Sequence, residues 1–317
     1  MSRLARFLGV LVLASWLARC TTSSMPEPAS RAELRAFRTL AGSVTSASTS
    51  TSGTRGRYTE YRVHLTGSAG LSATGLLLRP ERGTGPWPAV LLDDGRELNS
   101  RAVDYLPPEF GNVVVLALDY PPQFPHTLTF STLLAHSRQL RAVARRVPAL
   151  FILGGEYLAH RPDVDSTRVA IAATSFAVPF AVIAAASDSI FRNVALIYGA
   201  GGLAHVIAAN LSLHPAFLRS IVARLAVQPF TKLEPERYVG GIAPRPIVMV
   251  NGVDDPQMPR AAVESLYSAA RQPKALIWLR TGHLMPTDTA LIRALVHTAL
   301  ARLPVLRAGD SVGAASR

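Results

Sequence analysis

Cysteine is almost missing from this chain: Cys20 is the only one in 317 residues. With no partner there can be no internal disulfide, and the fold must stand on its hydrophobic core. Lysine is nearly as scarce. Lys232 and Lys274 are the only two among 33 basic residues, so the formal charge of +12 is carried by arginine. The arginines are scattered, as at Arg141, Arg145, Arg146, Arg192, Arg219 and Arg260, and no long basic run alternates with aromatics. That distribution argues against a groove tracking nucleic acid, and no nucleic-acid partner is expected. Weak attraction to anionic membrane surfaces is a better use of the charge. Charged residues are only 17% of the chain against 49% hydrophobic, which argues against disorder and fits a buried sheet. No internal repeat is present. The length suits one large α/β domain with export and tail segments.

The apolar run at the N-terminus is too short to span a bilayer comfortably. Phe7 to Leu17 follows Arg3 and Arg6 and suits the core of a signal peptide. It ends at Leu17-Ala18-Arg19-Cys20, a tetrad that resembles a bacterial lipobox, in which the cysteine becomes lipidated after cleavage. That resemblance implies membrane attachment through Cys20. Arg19 departs from the small residue found before such a cysteine, so an ordinary secretory signal cut nearby stays open as the other reading. On either reading residues 1–20 are an export signal, and the protein is expected in the cell envelope or secreted. Residues 21–57 follow, densest in serine and threonine between Ser43 and Gly53, and too poor in apolar side chains to form a core. They are expected to be a flexible linker, interrupted by a short helix around Arg31 to Leu40. The folded domain is expected over 58–306, with 307–317 a disordered tail.

Within that domain strand and helix signals alternate. Tyr61–Leu65 and Ala73–Leu78 flank Gly67-Ser-Ala-Gly70 and read as an antiparallel hairpin. Continuous apolar runs follow at Ala89–Leu92, Val113–Leu118, Val169–Ala172, Val194–Ile197, Pro246–Val250 and Ala275–Leu279. Unbroken hydrophobicity marks strands covered on both faces. Helical segments lie between them, for example Ser131–Ala144, Ser175–Ser187, Pro259–Ala270 and Asp288–Leu303. An antiparallel opening hairpin followed by about six parallel strands is the plan of the α/β-hydrolase fold. The expected architecture is a mostly parallel sheet of about eight strands with helices on both faces.

In open parallel sheets ligands sit at the carboxyl ends of the strands. After Val169–Ala172 comes Ala173-Thr174-Ser175-Phe176-Ala177 and an apolar helix. This resembles the nucleophile elbow of α/β-hydrolases, with alanine at both positions where glycine is usual. A sharp strand-to-helix turn strains the serine backbone and leaves no room beside it for large neighbours. The following helix also aims its positive dipole end at developing negative charge. For this fold the triad runs serine, then acid, then histidine. Many family members carry a G-x-x-D-x-x-x-P loop after the next-to-last strand, and Gly252 to Pro259 is similar to it. The match falls on Asp255, with Asp254 the alternative acid. No acidic residue follows the preceding strand, where the chain reads Tyr198-Gly-Ala-Gly-Gly-Leu203. Arg280-Thr-Gly-His283 stands after the last strand, where the family has its general base. His64 lies in the opening hairpin, His136 and His160 in or after a helix and His297 on the last helix, whereas His126, His205 and His214 fall in loops or a lid over Gly199 to Tyr238.

The resemblance implies a serine hydrolase near the dienelactone-hydrolase and prolyl-oligopeptidase-like branches. Arg161-Pro-Asp-Val-Asp-Ser-Thr-Arg-Val169, before the elbow strand, is similar to what such members show. Ser175 would attack an acyl carbon, His283 take its proton, and Asp255 fix the imidazole tautomer. One oxyanion-hole donor would be the N–H of Phe176. The second would come from the loop after Ala89–Leu92, at Asp94 or Gly95. Two aspartates there, Asp93 and Asp94, depart from the family's His-Gly or Gly-Gly pattern, and negative charge beside an oxyanion opposes the reaction unless it is turned away or paired with Arg96. The expected substrate is a small molecule carrying an ester, thioester or amide, with no cofactor and no metal. The competing reading is a hydrolase-fold envelope protein that has lost catalysis and serves as a binding module, motivated by the two elbow alanines and the aspartate pair.

Overall fold

The computed structural model describes residues 25–94, 98–107, 110, 112–123, 135–283, 285 and 287–306. The export segment with Cys20 and the tail after 306 lie outside the described residues. The first element is helix α1 (Arg31–Ala41), close to the bounds expected for it. Ser30 and Glu33 form a reciprocal capping box that satisfies two N-terminal amides. The helix buries Phe37 and Ala41 and stops at Gly42, whose φ of +64° is free to glycine and strained for other residues. It is tied to the domain from outside as well. Glu33 pairs with Lys232 (2.9 Å) and Arg237 (3.0 Å), and the Ala29 N–H donates to the Arg237 carbonyl. The Lys232 ammonium, with the Ser30 N–H and Arg237, pulls the Glu33 carboxyl down to about 2.

The Ser/Thr-rich stretch is not a tether. Residues Val44–Arg55 form β1, a twelve-residue strand paired antiparallel with β2 (Tyr58–Gly67) from Val44↔Gly67 to Arg55↔Tyr58. Low apolar content excludes a core role, since β1 is exposed almost throughout. It does not exclude an edge strand, which needs backbone pairing and β-branched residues such as Thr49, Thr51 and Thr54. A polar, solvent-washed edge also resists pairing with other chains. The folded unit therefore begins with α1 and β1 rather than at residue 58.

Nine strands form one sheet in the order β1-β2-β3-β5-β4-β6-β7-β8-β9. β3 (Ser72–Pro80) pairs antiparallel with β2 and with β5 (Val114–Leu118). From β5 through β4 (Trp87–Asp93), β6 (Val164–Thr174), β7 (Asn193–Ile197), β8 (Ile247–Gly252) and β9 (Lys274–Leu279) all pairs are parallel. Every residue of β4, β5, β7 and β8 is buried, as expected for strands covered on both faces. Alternate residues divide between two cores. Ala89 and Leu91 pack with α2 (Ser137–Ala159), α3 (Val178–Ser187) and α1, while Val90 and Leu92 pack with the C-terminal helix (Thr289–Leu300).

The β3–β5 junction tolerates no side chain at Gly75. A Cβ there would lie 2.2 Å from the Ala117 carbonyl oxygen and 3.1 Å from Leu118 Cα, both backbone atoms of the paired strand. Gly75→Ala is expected to cost at least about 2 kcal/mol, because neither strand can withdraw without breaking the ladder. Urea denaturation checks this; a midpoint within error of wild type would show that the strands can part.

Candidate active site

Strand order reverses at β4, whose neighbours are β5 on one side and β6 on the other. The crevice above such a reversal is where α/β sheets bind ligands. Ser175 stands there, immediately after β6. Thr174 is extended (φ −116°, ψ 135°), Ser175 has φ +50°, and a 3₁₀ turn over Ser175–Ala177 leads into α3. A non-glycine residue at positive φ is a local strain of about 1–3 kcal/mol, of the kind found at functional turns. Ala173 and Ala177 are wholly buried, and neither has positive φ. These positions therefore need a small side chain, not the conformational freedom of glycine, and alanine meets the need.

Asp255 lies in the loop after β8 with its carboxylate almost fully buried. Oδ1 accepts the Gln257 N–H (2.7 Å) and the Met258 N–H (3.1 Å), while Oδ2 is 2.8 Å from His283 Nδ1. A carboxylate cannot donate, so Nδ1 carries the hydrogen, and in the neutral ring the lone pair then falls on Nε2. Asp254 is exposed and lies outside this contact. His283 follows β9 and is mostly buried. No hydrogen bond joins Ser175 to His283 among the described residues. In apo structures such contacts are often long and tighten with substrate.

One residue passed over in the sequence holds the histidine loop. Tyr198, directly after β7, is fully buried and has φ +53°. Its hydroxyl donates to the Gly282 carbonyl (2.7 Å) and lies 2.5 Å from Thr281 Oγ1, while its ring meets His283 edge-on at 5.8 Å. Burial raises the phenol above its usual range, and the Asp255 charge adds to this against the Thr281 hydroxyl. The sequence signal is a bulky aromatic between a strand and a glycine-rich turn.

The aspartate pair after β4 divides in two. Asp93 is 1% exposed, and neither carboxyl oxygen has a hydrogen-bond partner among the described residues. Burial pushes its carboxyl well above the ordinary carboxylate range; the Tyr120 hydroxyl opposes this, and Asp94 and Asp119 reinforce it. That hydroxyl is committed to the Asp94 carbonyl at 3.3 Å. Burial thus disfavours the charged form of Asp93 beside the crevice. Asp94 is buried, and Gly95 and Arg96 lie outside the described residues. Phe176, half-buried, packs its ring on Phe180 (5.5 Å) and Tyr120 (5.9 Å). Among the described residues no group of three or more histidine, cysteine or acidic side chains is arranged to hold a metal.

The β7–β8 connection carries helices α4 (Leu203–Ala209) and α5 (Ala216–Val227). Asn210 Nδ2 donates to the Gln257 carbonyl (3.0 Å), tying the end of α4 to the Asp255 loop. Glu234 receives the Leu203 N–H at 3.0 Å. Burial, with Glu236 nearby, raises its carboxyl from an ordinary 4.5 to about 7, against the Leu203 and Gly202 amides. The folded protein keeps a proton there that the unfolded chain releases above 4.5, so stability is full below that pH and declines as pH rises to about 7. Glu234→Gln should flatten this decline by about 2–3 kcal/mol. Urea midpoints at about pH 5 and about pH 8 test it; parallel pH profiles would place the titration elsewhere.

Neither a protein-family model nor a curated protein matches the sequence. Solved structures match the fold. Acetyl xylan esterase 1 from a Thermoanaerobacterium species superposes with a TM-score of 0.65 at 17% identity, covering 88% of this chain and 96% of that one. An acetyl xylan esterase from a Paenibacillus species gives 0.64 at 14%, covering 87% and 97%. An α/β hydrolase from a Penicillium species gives 0.51 at 16%, covering 76% and 99%. With its parallel sheet, antiparallel opening strands and flanking helices, the chain has the α/β-hydrolase fold.

Proposed function

We propose that the protein is a serine hydrolase that cleaves a carboxylic ester through an acyl-enzyme on Ser175. The observation that carries this reading is the 2.8 Å contact between Asp255 Oδ2 and His283 Nδ1, made by loops after β8 and β9 on the edge where Ser175 turns at positive φ. His283 Nε2 would take the Ser175 proton as Oγ attacks the acyl carbon, and Asp255 would stabilise the resulting imidazolium. The protonated imidazole then returns that proton to the leaving alkoxide, and water repeats the cycle on the acyl-enzyme. The Phe176 N–H and a backbone donor from Asp94 or Gly95 would hold the oxyanion. The acetyl xylan esterases among the structural neighbours support a small acyl group such as acetyl as the substrate class.

Both features that favoured an inactive binding module lose force. Ala173 and Ala177 fit their buried positions, and burial disfavours the charged form of Asp93. Export, with a lipid anchor on Cys20 or a simple secretory cut, is part of the same proposal and rests on residues 1–20. A fluorophosphonate probe tests the chemistry directly. It should label the protein at a single peptide containing Ser175, and intact labelling resistance in a folded sample would remove the nucleophile from the proposal.

A further inference from the structure

The apolar side chains left in solvent are not spread over the molecule. Among the described residues six large ones are exposed: Met25, Phe217, Ile221, Leu225, Val253 and Met285. All but Met25 belong to segments leaving the carboxyl ends of β7, β8 and β9. Val253 is two residues before Asp255, and Met285 two residues after His283. The other three recur at i, i+4 and i+8 on α5, which places them on one stripe of the helix. Phe217 is 63% exposed and Leu225 62%. The opposite side of α5 buries Ala223, Ala226 and Val227, so the stripe is not the face that holds the helix to the domain.

Charge selects the occupant. Helix α5 itself carries Arg219 and Arg224 and no aspartate or glutamate. An apolar stripe in a segment that is only basic, on a chain of net charge +12, has the character of a helix lying in an anionic interface. A second copy of the chain is the poorer fit, because two such basic surfaces repel.

We propose that the outer face of α5 docks on an anionic lipid surface, bringing the carboxyl edge of the sheet against the headgroups. Phe217, Ile221 and Leu225 enter the interface, and Val253 and Met285 border it. The Asn210–Gln257 hydrogen bond couples the docked β7–β8 connection to the loop bearing Asp255. This docking does not depend on the chemistry at Ser175.

Co-sedimentation of the full chain with vesicles tests it. Binding is expected on equimolar phosphatidylglycerol and phosphatidylcholine, weak on phosphatidylcholine alone, and lost in about 0.5 M salt. The combined variant Phe217→Ser, Ile221→Ser, Leu225→Ser should bind anionic vesicles at least about tenfold more weakly. Its thermal unfolding should stay cooperative. A second variant, Ser220→Glu with Gln228→Glu, leaves the stripe in place and adds negative charge beside it; it should also lose anionic binding. Undiminished binding of the triple variant would overturn the proposal, since the residues before 25 would then hold the vesicle. So would equal, salt-independent binding to both vesicle types. A wild-type dimer that the triple variant dissolves, without vesicle binding, would assign the stripe to a second copy instead.

Discussion

Ser175→Ala is expected to lower p-nitrophenyl acetate hydrolysis by at least about a thousandfold while the protein stays folded. Alanine keeps the Cβ, so the backbone at φ +50° bears the same strain and the elbow keeps its shape. Only the hydroxyl is lost, and with it the atom that would form the acyl bond. The side chain makes no hydrogen bond among the described residues, so its removal leaves no buried partner unsatisfied. Unchanged thermal unfolding beside lost turnover would mark the effect as chemical. Retention of more than about a tenth of the activity would show that another group is the nucleophile.

Asp255→Asn should reduce kcat by about a thousandfold to ten-thousandfold with little change in KM. The Gln257 and Met258 N–H groups both point at Oδ1, so the amide oxygen of asparagine must take that side. Its NH₂ then faces His283 Nδ1, which becomes an acceptor, and the ring hydrogen moves to Nε2. An Nε2–H cannot accept the Ser175 proton. Asp254→Asn, at an exposed carboxylate outside the contact, should cost less than about threefold. Steady-state kinetics of the two variants decide between the carboxylates. A larger loss at Asp254 would reverse the assignment.

Much of the sheet is legible because local pattern and final environment coincide. A run such as Val194–Ile197 is apolar at every position since both faces are covered, and its composition reports that directly. β1 is the failure of the same logic. Its side chains stay in water, so nothing in its composition records the ten-residue pairing partner that β2 provides. Likewise α1 was visible as a helix, but its docking through Glu33 to Lys232 and Arg237 joins residues about two hundred positions apart.

The sequence by itself determined the order of strands and helices, the small residues around Ser175, and the candidates Asp255 and His283 after their strands. Those features are local: hydrophobic runs, turn residues and chain order act within a few residues of where they are written. Only the tertiary structure placed Asp255 rather than Asp254 on the imidazole, buried the Asp93 carboxyl away from water, and put the Tyr198 hydroxyl on the His283 loop. It alone also left the α5 stripe in solvent. Each of these depends on which distant atoms surround a group, and desolvation and hydrogen bonding are set by that neighbourhood rather than by the residue's own identity.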